Sequence, residues 1–328
     1  MRFLLFLSFI LLGCTNTLVG QFRIEPFPTH NQSPLIHFFG MPVNNGGVVL
    51  QKRQFIFNNY LNISNNATRS RLLDEAIYLD GELYRNDFFI RYGLFNKLEI
   101  GLNIPLIKHV GGVMDPFIKG WHSTFGFPGK SREVMPNQDL AYMYLENNEA
   151  VFLMDKSELD IGDIAIDFTT QLFRNNHSGI TLKAFFKFAT GDKNNLIGSG
   201  TNDFGIQLSG ENSSLSRTGN LSLFYSVGIL KIGSGAVLSN KLSENIFFGN
   251  IGCGFGWRKF MPKLQFDFHS EFYKQSSTKQ LGNKSVQMIL GTDYVLTDKI
   301  KLSTSFTEDL VVNTSPDFVL QFGLSFIL

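Results

Sequence analysis

The sequence has little of what marks most functional classes. Cysteine is scarce, with only Cys14 and Cys253 among 328 residues. Cys14 stands inside an N-terminal apolar stretch, so one thiol remains beyond it and no intramolecular disulfide can form. Cys253 reads as a small residue of a wall. Charge of one sign is also lacking: 29 Lys and Arg face 28 Asp and Glu, a net of +1. A nucleic-acid partner calls for a clustered basic excess, and none is present. Long hydrophobic runs are missing too. After the first twenty residues no apolar stretch reaches the roughly 18 residues of a transmembrane helix. Phenylalanine and glycine are abundant, at 34 and 31 residues. Together with near-neutral mean hydropathy they suit a wall that is apolar on one side and polar on the other.

The first segment reads as an export signal. Arg2 gives a positive start, and Phe3 to Leu12 is almost wholly apolar but too short to span a bilayer. Residues 1–20 form a signal peptide if cleavage follows Gly20. The alternative is 1–13, because Leu11-Leu12-Gly13-Cys14 resembles a lipobox in which Cys14 is lipidated. Residues 21–46 then form a lead-in segment, and 47–328 the main domain.

That domain alternates with period two, the signature of strands with unlike faces. Ile300, Leu302, Thr304 and Phe306 alternate with Lys301, Ser303, Ser305 and Thr307. Leu264, Phe266, Phe268 and Phe272 alternate with Gln265, Asp267, His269 and Glu271. Similar stretches lie at 48–60, 75–94, 97–108, 159–173, 180–189, 203–209, 220–230, 245–257 and 286–296. With the last segment the count is about twelve, each near the length of a tilted membrane strand. The connections sort by parity. Phe95-Asn96-Lys97 and Thr297-Asp298 are short, whereas the Asn-rich 61–72, the long 109–158 and the polar 274–284 fall on the other side. Long loops outside and short turns inside are the outer-membrane pattern. The fold class is all-β: a single antiparallel transmembrane β-barrel of about twelve strands, with 111–158 as plug or cap.

The last eight residues carry the most specific local signal. Residues 321–328 resemble the terminal signature read by the barrel-assembly machinery, with Phe318, Leu320, Phe322, Leu324, Phe326 and Leu328 on one face. An open edge is intolerable in lipid, so this strand must pair with the first. The implied location is the bacterial outer membrane, with its lipid as a partner.

Parity also assigns a lumen. Arg91, Glu99, Asp163, Asp167, Lys183, Lys187, Asp203, Asp267, His269, Glu271 and Asp293 point inward, and Asp167 comes opposite the Lys183–Lys187 stretch. Such charges brace a narrow barrel in pairs or line a polar path. The long outer segment concentrates Asp115, Trp121, His122 and Arg132. Trp121 and Phe125 would share a face of one helical turn. Loops of this length usually bind something or fold inward. No second His or Cys stands at ligand spacing, so no metal and no cofactor is expected. Neither a nucleophile elbow nor a phosphate loop occurs. The expectation is no enzyme; a hydrolase assembled across strands would use His269, beside Asp267 and Glu271, as base.

Several short motifs combine into a resemblance. They are Asp80-Gly81-Glu82, Gly111-Gly112 with Asp115, Trp121-His122-x-x-Phe125-Gly126-x-Pro128 and Arg132. Further along stand Thr190-Gly191-Asp192, Gly198-Ser199-Gly200-x-x-Asp203, Gln265 with Asp267 and His269, and Glu308-Asp309-Leu310 with Ser315-Pro316-Asp317. Over roughly residues 34–328 the chain resembles an uncharacterised family, a domain of unknown function, of Gram-negative outer-membrane proteins. The Thr190–Asp203 stretch is also similar to outer-membrane transporters of aromatic-degradation pathways, although Phe188-Ala189 stands where those carry a proline. The resemblance implies a barrel without an established activity, and adds Asp80, Glu82, Asp192, Glu308 and Asp309 to the ligand or lumen candidates. Three functions follow as expectations: a channel for a small molecule, an apolar one included; a structural or adhesive surface protein; and a lipid-modifying or hydrolytic enzyme.

Overall fold

A sheet with one apolar and one polar face can leave no free edge in oil, and closure removes the edges. The computed structural model describes residues 22–112, 114, 116, 120, 139–213, 220–274, 276–311, 314–316 and 318–328. In chain order its strands are β1 (Phe55–Leu72), β2 (Glu75–Phe95), β3 (Leu98–Val110), β4 (Ala141–Glu146), β5 (Glu149–Met154), β6 (Leu159–Ile161), β7 (Ala165–Arg174) and β8 (Ser178–Lys187). There follow β9 (Asp203–Asn212), β10 (Leu221–Ile232), β11 (Asn245–Phe255), β12 (Phe260–His269), β13 (Ser285–Thr297), β14 (Ile300–Asp309) and β15 (Phe318–Ile327). All but β4, β5 and β6 close into a twelve-stranded antiparallel barrel. The seam joins β15 to β1, with Ile56 opposite Ile327 and Asn65 opposite Phe318. No helix among the described residues is long and apolar enough to cross a membrane.

Burial runs opposite to that of a soluble sheet. On β9, Phe204 and Ile206 are 53% and 52% exposed while Asp203 and Gln207 are 0% and 1% exposed. Large apolar side chains cover the outside and polar ones the inside, as lipid requires. Trp257, Phe260 and Tyr294 cluster at one rim, where an aromatic girdle is expected. Short turns, such as 96–97 and 298–299, gather at that turn end. The opposite, loop end carries 188–202, 233–244 and the described parts of 111–164, 270–284 and 310–317.

Four sequence expectations need correction. The Asn-rich 61–72 stretch is strand, not loop. Asn62 faces the polar interior, where it bonds Gln321 (2.8 Å) and Asp87 (3.5 Å), so its poor β-propensity is offset. Residues 48–54 are not strand: β1 begins at Phe55. Phe272 does not continue the outward row of β12, because that strand ends at His269 and Phe272 turns into a buried apolar cluster. Glu271 likewise falls beyond the strand. The signal segment and Cys14 lie outside the described residues.

The β1/β2 hairpin outruns the barrel. Strand β15 accompanies β1 only to Asn65, and β3 accompanies β2 only from Glu82, so 66–81 stand beyond the closed wall. The β4/β5 hairpin pairs with this extension along Glu75–Asp80. Its turn, Asn147-Asn148, has φ of 52° and 68°, the geometry that matches strand twist in a two-residue turn. The described part of 111–158 therefore extends the wall, and β6 patches it beside β3.

What fills the barrel is the lead-in. Residues 22–50 form no regular element, yet most of them are buried. The segment enters at the turn end, climbs to the loop end at 35–39 and returns to Leu50 before β1.

Candidate functional site

Backbone without secondary structure carries unpaired N–H and C=O groups, and each one buried without a partner costs about 1–3 kcal/mol. The inward rows of the wall supply those partners at three levels. At the turn end, Arg91 binds Glu99 through Nε and Nη2 (2.7 and 3.1 Å) and Glu25 through Nη1 (3.2 Å). Glu99 in turn accepts the Leu50 N–H (2.9 Å). Glu211 accepts the Gly47 N–H (3.0 Å) and pairs with Arg23 (2.5 Å). Gln171 accepts from Val49 N–H and donates to the Gly47 carbonyl. Gly47 packs directly on Gly179: a Cβ added at 47 would come within 2.3 Å of the Gly179 oxygen.

At mid-height, Lys183 donates to the Val43 carbonyl (2.7 Å) and Lys263 to that of Glu25 (2.9 Å). Asp293 holds both Lys263 (3.0 Å) and Lys301 (3.1 Å). Thr29 donates to Asp267 (2.6 Å), and Gln265 brackets the Phe27 main chain. His269 Nε2 meets the Asn31 amide at 2.9 Å.

The plug tip is held by charge and by apolar packing. Lys187 donates to the Phe38 carbonyl (3.3 Å), binds Asp163 (2.6 Å) and Asp203 (2.9 Å), and reaches Ser199. Asp203 accepts the Gly40 N–H (3.0 Å). Arg85, fixed by Asp87, donates to the His37 carbonyl (2.7 Å). Leu35, Ile36, Phe38 and Phe39 then enter one apolar cluster with β2, the β4/β5 hairpin and Phe272 with Tyr273. Above it Glu75 ties the extension to the loops: it accepts from Lys241 (2.7 Å), Tyr144, Ser276 and Ser277. Burial works to raise the Glu75 carboxyl, but these donors outweigh it and hold the group at about 2. Lys241 is raised: burial opposes its charge, and Glu146 and Glu75 more than compensate.

Among the described residues, three of the cavities succeed one another along the plug. A funnel of about 690 Å3 opens at the turn end, lined by Phe22, Glu25, Leu50 and Ile327 among others. Glu25 also borders a polar pocket of about 10 Å3 beside Arg91, Tyr60 and Lys301, room for about one water. Asn44 of that pocket borders a third, about 20 Å3, beside Asp267 and His269.

The predicted lumen residues Arg91, Glu99, Asp163, Asp167, Lys183, Lys187, Asp203, Asp267, His269 and Asp293 all face inward. Lys183 lies 3.8 Å from Asp167, as parity implied. Other candidates sit elsewhere. Asp80 and Glu82 fall on the opposite row of β2, where Glu82 accepts the Met114 N–H (2.6 Å) and the Tyr84 hydroxyl (2.9 Å). Gly112, at φ 86°, lies so close to Glu82 that a Cβ would clash, so this motif secures the start of the long loop. Asp192 is exposed and shapes its own turn through Asn194 and Asn195. Asp309 accepts the Thr314 and Ser315 N–H groups, and the Thr314 carbonyl accepts from the Asn31 amide. Glu308 is on the outward row of β14. Asp115, Trp121, His122 and Arg132 lie outside the described residues. No cluster of three or more metal-ligating side chains occurs among the described residues.

The chain belongs to the family described as a protein of unknown function, DUF3187, whose model matches residues 3–328. No curated protein matches the sequence. Among solved structures it is similar to an outer membrane channel, COG4313, from Pseudomonas putida F1, at 9% identity and a TM-score of 0.57. That match covers 86% of this chain and 98% of the channel. Weaker likenesses include the NanC porin (9% identity, 83% and 100% covered, TM-score 0.48) and the toluene transporter TodX of P. putida (10%, 85% and 89%, 0.36). At these identities the likeness bears on fold, and the first match supports the barrel.

Proposed function

We propose that the protein is an outer-membrane channel for small solutes, with its turn end in the periplasm and its lumen closed by residues 22–50. The observation that carries this reading is the inner wall itself. Its charged side chains are aimed at plug main chain, leaving a line of cavities that opens into a funnel and narrows to water size beside Glu25. A plug held by hydrogen bonds to a polar wall can be released into water, where those bonds are replaced. Export by the N-terminal segment and insertion through 321–328 by the barrel-assembly machinery belong to the same reading, as does lipid contact at the apolar belt.

Conductance of the full chain in planar bilayers tests it. Gly47→Leu cannot keep its contact with Gly179 and should prise the plug from β8. The wild type should show rare openings and the variant frequent ones, with the barrel still folded by heat-modifiable gel mobility. Barrels that stay sealed in both forms would overturn the channel reading. The second reading, a surface protein that binds a partner, draws on the β1/β2 extension with its added β4/β5 hairpin. Removal of 141–154 should abolish partner capture if that reading holds, and leave conductance intact if it does not. His269 is engaged by the plug residue Asn31, and we read its role as structural, not catalytic.

A further inference from the structure

The turn-end funnel has a chemistry of its own. Its floor is apolar: Leu50, Ile56 and Ile327 pack together with Phe22 against them. Its rim carries Arg23, Lys52, Arg53, Arg174 and Lys299. Arg23 is neutralised by Glu211. Among the described residues no ion pair engages the other four, and all four are exposed. The acid in the lining, Glu25, is bound to Arg91. Arg53 is held at φ 67°, a left-handed conformation that disfavours any side chain, by its N–H bond to the Gly93 carbonyl (2.8 Å). Four cations without an acid partner among the described residues thus ring an apolar floor and give this end a positive potential.

We propose that this funnel binds a small organic anion with an apolar body, the acid group at the cationic rim and the body on Phe22, Leu50 and Ile327. The volume of about 690 Å3 fits a ligand of that size, within the usual range of small-molecule sites. As the substrate class of the channel this rests on the channel reading; as a binding site it stands on the rim and floor alone.

The test is calorimetric titration of the full chain in nanodiscs with 2-naphthoate, and with the neutral 2-naphthamide of the same shape. Naphthoate should bind about tenfold or more tightly than naphthamide, the gain expected from several half-screened cations near one anion. That preference should shrink at about 1 M salt, where screening acts within roughly 3 Å. The combined variant Lys52→Gln, Arg53→Gln, Arg174→Gln and Lys299→Gln should bring naphthoate down to the level of naphthamide. Equal binding of the two probes, no effect of the variant, or no binding because residues before Phe22 occupy the funnel would each overturn the proposal. Naphthoate binding to a barrel that never conducts would sink the channel and leave the site. Conductance without preference for naphthoate would do the reverse.

Discussion

Replacing Lys187 with methionine removes the ammonium on which the plug tip converges. In the native chain its Nζ lies 2.6 Å from Asp163 and 2.9 Å from Asp203. It also donates to the Phe38 carbonyl. Methionine has nearly the same volume, so packing is conserved and the loss is electrostatic. Two carboxylates are left buried together without their cation. Removing one partner of a buried ion pair costs about 3–5 kcal/mol, and here both acids are orphaned. Asp203 keeps its bonds from Gly40 and Gly233 N–H, which holds the loss near that range instead of above it. Urea unfolding in detergent micelles, followed by circular dichroism, should show Lys187→Met less stable by about 3–5 kcal/mol. The double variant Lys187→Met/Asp203→Asn should recover at least about 1 kcal/mol of this, because one buried charge is gone. Bilayer recordings should show more frequent openings in Lys187→Met. A single variant within about 1 kcal/mol of wild type, or a double variant with strictly additive losses, refutes the idea that this lysine pins the plug.

Three further predictions follow from the same geometry. Gly40→Cys with Asp203→Cys, in a Cys253→Ser background, brings two sulfurs within bonding range, since a Cβ at 40 would lie 3.1 Å from that of Asp203; oxidation should silence conductance and reductant restore it. A double-mutant cycle on Asn31 and His269 should give a coupling of about 0.5–1.5 kcal/mol, and no enzymatic turnover should be lost with it. Glu75, held at about 2 against an ordinary value of 4.5, contributes stability that is complete above the higher figure and lost as pH falls toward the lower. Acid unfolding of the wild type should therefore steepen between those two values, and Glu75→Gln should flatten that limb.

The wall was legible because, inside a strand, period two fixes which face each side chain takes. Ile300 to Thr307 and Phe318 to Leu328 place their side chains where alternation says they go, and the parity of Lys183 and Asp167 already put acid opposite base. Strand ends were less legible. The asparagines of β1 read as loop because intrinsic propensity speaks for an isolated chain, whereas Asn62 lies in a polar interior that bonds its amide. Asp80 and Glu82 lie on the outward row of β2, a placement their short motif does not disclose. Glu82 is covered by the chain at Gly112 and Met114, and a carboxylate covered by a loop resembles, in sequence, one that faces a lumen.

The plug was invisible for a physical reason that also explains the lumen. Residues 22–50 have no periodicity, because they make no ladder, and their partners lie far along the chain: Phe27 with Gln265, Gly40 with Asp203, Gly47 with Glu211. Yet a constraint was present. In a barrel of about eight strands side chains fill the interior, and at twelve they leave space. That space holds either water or polypeptide, and the inward residues distinguish the two. Charges that served only to brace the wall would pair with each other and be satisfied. Lys183, Lys187, Lys263 and Arg85 do pair with wall carboxylates, but each also donates to a main-chain carbonyl of the plug, at Val43, Phe38, Glu25 and His37, while Glu99, Asp203 and Glu211 accept main-chain N–H groups. Donors matched to carbonyls and acceptors matched to N–H groups form a receptor for an irregular backbone. The polar lumen is thus complementary to the segment that closes it, and any solute that passes must compete for the same groups.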